Sequence, residues 1–257
     1  MIIAFLVALF FGLTSPESGQ NAASGVSRQE RYREITDLLN QLAPRLTDHR
    51  ENVWVGVPWD ERVQRVRTQL ILIANESPEL RKSVINALIS VLNDPKDQFN
   101  LAGAERWRVS VALLGELNAT EAIDDLVRNI NWTSYSFLPH PPSPVRTALV
   151  RIGKPAVPRL LTALSEPSQF FPFEASETLV EIGVPSVDGL IGVLGRGEPS
   201  ARRAAAHTLA RIGGARAREG IEVALRVETD EETKKNLESA IGLMDHVECL
   251  KDSSKCK

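Results

Sequence analysis

The feature that most constrains the fold of this chain is a pattern of apolar residues that recurs every thirty residues. In Val145–Leu164 the apolar residues follow helical spacing on two segments, which are separated by Gly153 and Pro155. Glycine can take the left-handed conformation that ends a helix, and proline favours the first turn of the next helix. The same pattern returns around Gly183 and Gly213. We therefore expect two-helix units that stack, because one unit cannot bury its apolar face alone.

Two further units precede these three along the chain. The first opens its second helix at Pro78, and the second begins near Gly103. Asn118 stands where the other units have glycine, and asparagine is the next residue to tolerate the left-handed conformation. Amphipathic helices at 27–46 and from Asp230 are expected to cap the open ends. The sequence thus predicts an all-α fold, an α-solenoid of about five two-helix repeats with capping helices at both ends.

The third unit resembles a known repeat. It reads Ala148-Leu149-Val150-Arg151-Ile152-Gly153, followed by Lys154-Pro155-Ala156-Val157-Pro158-Arg159-Leu160-Leu161-Thr162-Ala163-Leu164. This is similar to the short HEAT-like repeat of the phycobilisome-lyase type, in which Ala-Leu-x-x-Ile-Gly precedes x-x-Ala-Val-Pro-x-Leu-x-x-Ala-Leu. The resemblance implies an armadillo/HEAT-like superhelix. It implies little about function, because the repeats of such families mostly present a binding surface and only some members are enzymes.

An apolar leader precedes the repeats. The twelve-residue run Ile2–Leu13, followed by small and polar residues, resembles a bacterial export signal with a cleavage site near Ser24. No Lys or Arg precedes the run, so a buried chain start is the alternative. We expect the following segments: 1–24 signal peptide, 25–59 N-terminal capping helix and loop, 60–246 solenoid, and 247–257 tail. The mature chain would then be periplasmic or secreted, without membrane insertion.

The tail holds the only two cysteines of the chain, Cys249 and Cys256. In an oxidising compartment we expect them to form a disulfide, and the alternative is two free thiols. Two cysteines alone do not make a zinc site, which typically has four ligands.

Charge and motifs exclude several classes of function. The net charge is −3, whereas a nucleic-acid-binding domain would be strongly basic. No histidine is followed by Glu, so the chain lacks the paired His-Glu iron motifs of the HEAT-like deoxyhypusine hydroxylases; the four are His49, His140, His207 and His246. Neither a Gly-x-Ser-x-Gly motif nor a glycine-rich phosphate loop is present. We expect no catalytic residue, no metal site and no cofactor.

Aromatic residues concentrate in the connections between repeats. Seven of the eleven aromatic residues after Ser24 lie there. They are Phe99, Trp132, Tyr135, Phe137, Phe170, Phe171 and Phe173. Such connections emerge on one edge of a solenoid, which we call the aromatic edge. These side chains would either form a docking surface for a partner or fold back over helix ends, and the sequence leaves both open.

The fifth repeat is rich in arginine. Arg202, Arg203, Arg211, Arg216 and Arg218 are followed by Glu228, Asp230, Glu231 and Glu232. Guanidinium groups could bind an anionic ligand through paired contacts, or the arginines could pair with the acidic turn.

These features predict a non-catalytic scaffold that binds another protein and is exported. We expect a monomer that uses its concave surface or the aromatic edge. The resemblance to phycobilin lyases implies an alternative, an accessory lyase-like or chaperone-like protein that acts on a prosthetic group or its acceptor protein.

Overall fold

Apolar faces at helical spacing form helices throughout the residues that the computed structural model describes, which are 27–42, 61–94, 101–131, 143–166 and 171–251. Within these ranges the α-helices are α1 (Arg28–Gln41), α2 (Glu61–Glu76), α3 (Pro78–Leu92), α4 (Leu101–Glu116), α5 (Ile123–Arg128), α6 (Pro144–Ile152), α7 (Val157–Ala163), α8 (Phe171–Ile182), α9 (Val187–Arg196), α10 (Pro199–Ile212), α11 (Ala215–Val227) and α12 (Glu231–Lys251). The same ranges contain no strand, and the predicted all-α class is confirmed.

The helices pack in two layers. The first layer contains α2, α4, α6, α8, α10 and α12, each packed on the next, and the second contains α1, α3, α5, α7, α9 and α11. The second helix of each repeat also packs on the first helix of the following repeat. This stacking of two-helix units is the α-solenoid that the thirty-residue period predicts.

The buried core follows the same period. Leu149, Leu179 and Leu209 occupy one repeat position, and none of them is exposed to solvent. They belong to a single apolar cluster that extends from Ile35 in α1 to Met244 in α12. Burying one such leucine contributes roughly 1.5–3 kcal/mol relative to leaving it in water. The repeats therefore share one continuous core.

The glycines that end the first helix of each of the last three repeats have the predicted positive φ, but their ψ lies outside the left-handed helical region. Gly153, Gly183 and Gly213 have positive φ values of 70°, 75° and 76°, as predicted, but their ψ values are −131°, −136° and −169°. A left-handed helical residue has ψ near about +47°. In all three turns the glycine N–H still closes the last helical turn. A 3₁₀ turn follows at once after Gly153 and Gly183, whereas Gly213 is followed by Gly214 and the next α-helix. This combination of φ and ψ is open almost only to glycine.

The turn of the second repeat is built differently. Asn118 has φ of 49° and is the one non-glycine residue with positive φ in the described ranges, as the sequence predicts. Its N–H donates to the Gly115 carbonyl, and the N–H of Ala119 donates to the Leu114 carbonyl at 2.9 Å. This pair of bonds is a Schellman motif, which satisfies the last carbonyls of α4.

Among the described helices, α1 and α12 stand at the two ends of the stack. α1 begins with a capping box, in which Ser27 and Glu30 bond to each other's backbone N–H, and it packs on α2 and α3. α12 packs on α10 and α11 and continues to Lys251. Val247–Lys251 are therefore helical, although the sequence assigned them to the tail. The leader at 1–24 and the loop up to Trp59 lie outside the described residues.

Candidate functional site

Of the seven aromatic residues assigned to the aromatic edge, the structure describes the side chain of Phe173 alone. Phe99, Trp132, Tyr135, Phe137 and Phe170 lie outside the described residues, and so does the side chain of Phe171, which begins α8. The placement of these six aromatic groups on one edge stays a prediction. Phe173 follows in the first turn of α8, where the connection from the third repeat enters the fourth.

The side chain of Phe173 projects into solvent. It is 60% exposed, whereas Glu174 and Ala175, which follow it, are buried. A phenylalanine that covered a helix end would be largely buried. The exposure of Phe173 therefore fits a docking surface for a partner. It does not fit a side chain that folds back over a helix end.

Directly after Phe173, three carboxylates of α8 surround one arginine of α6. Arg146 donates hydrogen bonds to Glu174 at 2.8 Å and to Glu181 at 3.3 Å, and its guanidinium lies 4.0 Å from Glu177. Glu177 also accepts a hydrogen bond of 3.1 Å from Arg211 of α10. Ion pairs thus join three consecutive helices of the first layer.

These ion pairs favour the charged forms of Glu177 and Arg146. The hydrogen bond from Arg211 lowers the pKa of Glu177, although burial opposes this shift. Burial acts to lower the pKa of Arg146, but its hydrogen bonds to Glu174 and Glu181 raise that pKa above its ordinary value. A general acid or base works best with a pKa near the operating pH. The cluster is therefore suited to fixing helices rather than to moving protons.

A second ion-pair chain lies earlier in the first layer. Glu116 of α4 pairs with Arg67 of α2 and accepts a hydrogen bond of 3.0 Å from Arg151 of α6. Arg151 and Arg211 occupy the same repeat position, and each reaches back to a carboxylate of the preceding first-layer helix, Glu116 or Glu177. We call this the backward position. Sequence reasoning missed it, although two arginines sixty residues apart were a signal.

The five arginines that the sequence analysis singled out in the fifth repeat all pair with carboxylates. The pairs are Arg202 with Glu228, Arg203 with Asp230 and Glu232, Arg211 with Glu177, Arg216 with Asp188 and Glu219, and Arg218 with Asp245 and Glu222. Arg202 and Arg203 pair with the acidic turn, and the other three reach acidic groups on helices. Because each of these five guanidinium groups already contacts a carboxylate, the geometry favours a paired helix face over an anion-binding site.

The described histidines do not converge on a site. His207 on α10 and His246 on α12 are both exposed, and His49 and His140 lie outside the described residues. Within the described ranges, no group of three or more His, Cys, Asp or Glu residues is placed to hold a metal ion. The expected lack of catalytic residues and cofactors stays a prediction.

The predicted disulfide involves one described residue. Cys249 lies in the last turn of α12, and Cys256 lies outside the described residues, so the pairing stays a prediction.

None of the helices that the structure describes is both long enough and apolar enough to cross a membrane.

An open groove of about 440 Å³ lies between α1 and α2. Its lining side chains are Glu30, Arg33, Glu34, Asp37, Leu38, Gln41, Arg65 and Gln69. Small-molecule sites are mostly apolar and bury most of their ligand. This groove is open and charged, so it does not have the character of a small-molecule site.

Comparisons with known proteins found similarity to solved structures. No family model matches the chain, and no curated protein matches it. One similar structure is an engineered protein, at 18% identity and a TM-score of 0.31, covering 83% of this chain and 97% of that chain. Another is the complex of CpcE and CpcF of phycocyanin lyase from Nostoc sp. PCC7120, at 16% identity and a TM-score of 0.26, covering 91% of this chain and 99% of that chain. At these TM-scores neither similarity carries an argument about function.

Proposed function

We propose that this chain is a non-catalytic, HEAT-like scaffold that holds another protein in the periplasm or outside the cell. The observation that carries the proposal is the 60% exposure of Phe173 at the edge where the sequence concentrates six more aromatic residues. Aromatic side chains contribute much of the binding energy of protein interfaces.

The helix that carries Phe173 is fixed by buried side chains and by an ion pair. Ala175 and Leu179 of α8 are completely buried, and Glu174 is tied to Arg146 at 2.8 Å. A binding group on a rigid element loses less conformational freedom when its partner docks. Phe173 would therefore act as a fixed anchor, with the ion-paired face of α8 beside it.

Export is part of the proposal and is supported by the apolar leader alone. Export can be tested by measuring the molecular mass of the chain that is recovered outside the cytoplasm. We expect the residues up to about Ser24 to be absent from the mature chain. Recovery of only the full-length chain, from the cytoplasm, would contradict export and leave the binding proposal to be tested separately.

The binding test compares two exposed apolar residues at opposite ends of α8. Phe173→Ser removes the exposed aromatic group, and Val184→Ser is the matched control, since Val184 is 80% exposed in the turn after α8. Tagged wild-type and variant chains are incubated with an envelope extract, and the retained proteins are identified by mass spectrometry. Circular dichroism checks that all three chains are folded.

We expect a protein retained by the wild type and by Val184→Ser to be lost, at least tenfold, with Phe173→Ser; a tenfold loss corresponds to about 1.4 kcal/mol. Equal retention by all three chains would reject the aromatic edge as the binding site. No retained protein at all would count against the scaffold function. Nothing in the described residues favours the lyase-like alternative, so it is not proposed.

A further inference from the structure

We draw no further inference here: the strongest candidate, the open face of α9 at Gly192 and Gly195, carries nothing, because it is a stripe of small residues and no second observation among the described residues points to a ligand that would lie on it.

Discussion

The hydroxyl oxygens of Ser176 on α8 and Thr208 on α10 lie 2.6 Å apart in the buried space between two repeats. Thr208 also donates to the Ala204 carbonyl at 2.7 Å, so its single proton is used there and Ser176 is the donor between the repeats. Ser176 is 7% exposed and Thr208 is completely buried. A buried donor must find an acceptor, and this bond supplies one where two first-layer helices meet.

Replacing Thr208 by valine should therefore destabilise the chain more than replacing Ser176 by alanine. Thr208→Val leaves the Ser176 hydroxyl buried without an acceptor, at a cost of about 1–3 kcal/mol, whereas Ser176→Ala leaves Thr208 bonded to Ala204. Urea unfolding followed by circular dichroism measures both. In the double variant the two losses should not add, because they belong to one interaction. Equal effects of the two single changes would contradict this hydrogen-bond assignment.

Helix separation in the first layer should be sensitive at Gly115. A Cβ atom added there would lie 2.7 Å from the Cα of Ala148, which is backbone and cannot move alone. We expect Gly115→Ala to lower the free energy of unfolding by about 1–3 kcal/mol through overpacking. Gly195→Ala is the matched control, because a Cβ at Gly195 of α9 meets nothing within 4 Å. That change should stabilise the helix by roughly 0.5–1 kcal/mol, so the two unfolding midpoints should move in opposite directions.

The two kinds of turn should tolerate different residues. Gly183→Asn places a side chain at φ of 75° and ψ of −136°, where asparagine is strained, and should cost about 1–3 kcal/mol. Asn118→Gly keeps a residue that adopts positive φ in the Schellman turn and should change stability by no more than about 0.5 kcal/mol. Thermal unfolding of both variants measures the contrast. A Gly183→Asn chain as stable as the wild type would show that ψ at this turn is not restrictive.

Stability should fall in acid partly through Glu177. Its pKa lies below the ordinary value of 4.5 because Arg211 donates a hydrogen bond to it. A lowered pKa contributes stability above pH 4.5, and this contribution disappears as the pH falls through the folded-state pKa. Arg211→Gln should therefore lower stability at neutral pH and reduce the loss between neutral and acidic pH. The measurement is the unfolding midpoint of the wild type and of Arg211→Gln from pH 7 to pH 3. If the two chains lose stability with pH at the same rate, the pair contributes nothing.

Sequence reasoning anticipated the elements that depend on local pattern. The spacing of Leu149, Leu179 and Leu209 placed the core, and Asn118 was recognised as a residue with positive φ. It predicted the positive φ of the glycine turns but did not give their ψ angles, since these depend on how the chain enters the next helix. It also ended the last helix too early, because polar residues after Met244 concealed the helical continuation to Lys251.

The candidate sites were less accessible from the sequence. The concentration of aromatic residues predicted an edge, but only packing shows that Phe173 is exposed while Glu174 beside it is buried. The arginines of the fifth repeat offered two interpretations, and the geometry favours pairing because carboxylates from other helices come within reach.

By itself, the sequence determined that this chain is a stack of two-helix units. A unit that repeats every thirty residues can bury the apolar faces of its helices only against the neighbouring units. The tertiary structure alone decided which surface residues meet across repeats, such as Arg146 with Glu174 and Arg211 with Glu177. It also decided which apolar residues remain exposed at the ends. The physical reason is that burial within a helix follows local periodicity, whereas contact between helices depends on the distance and rotation at which they stack.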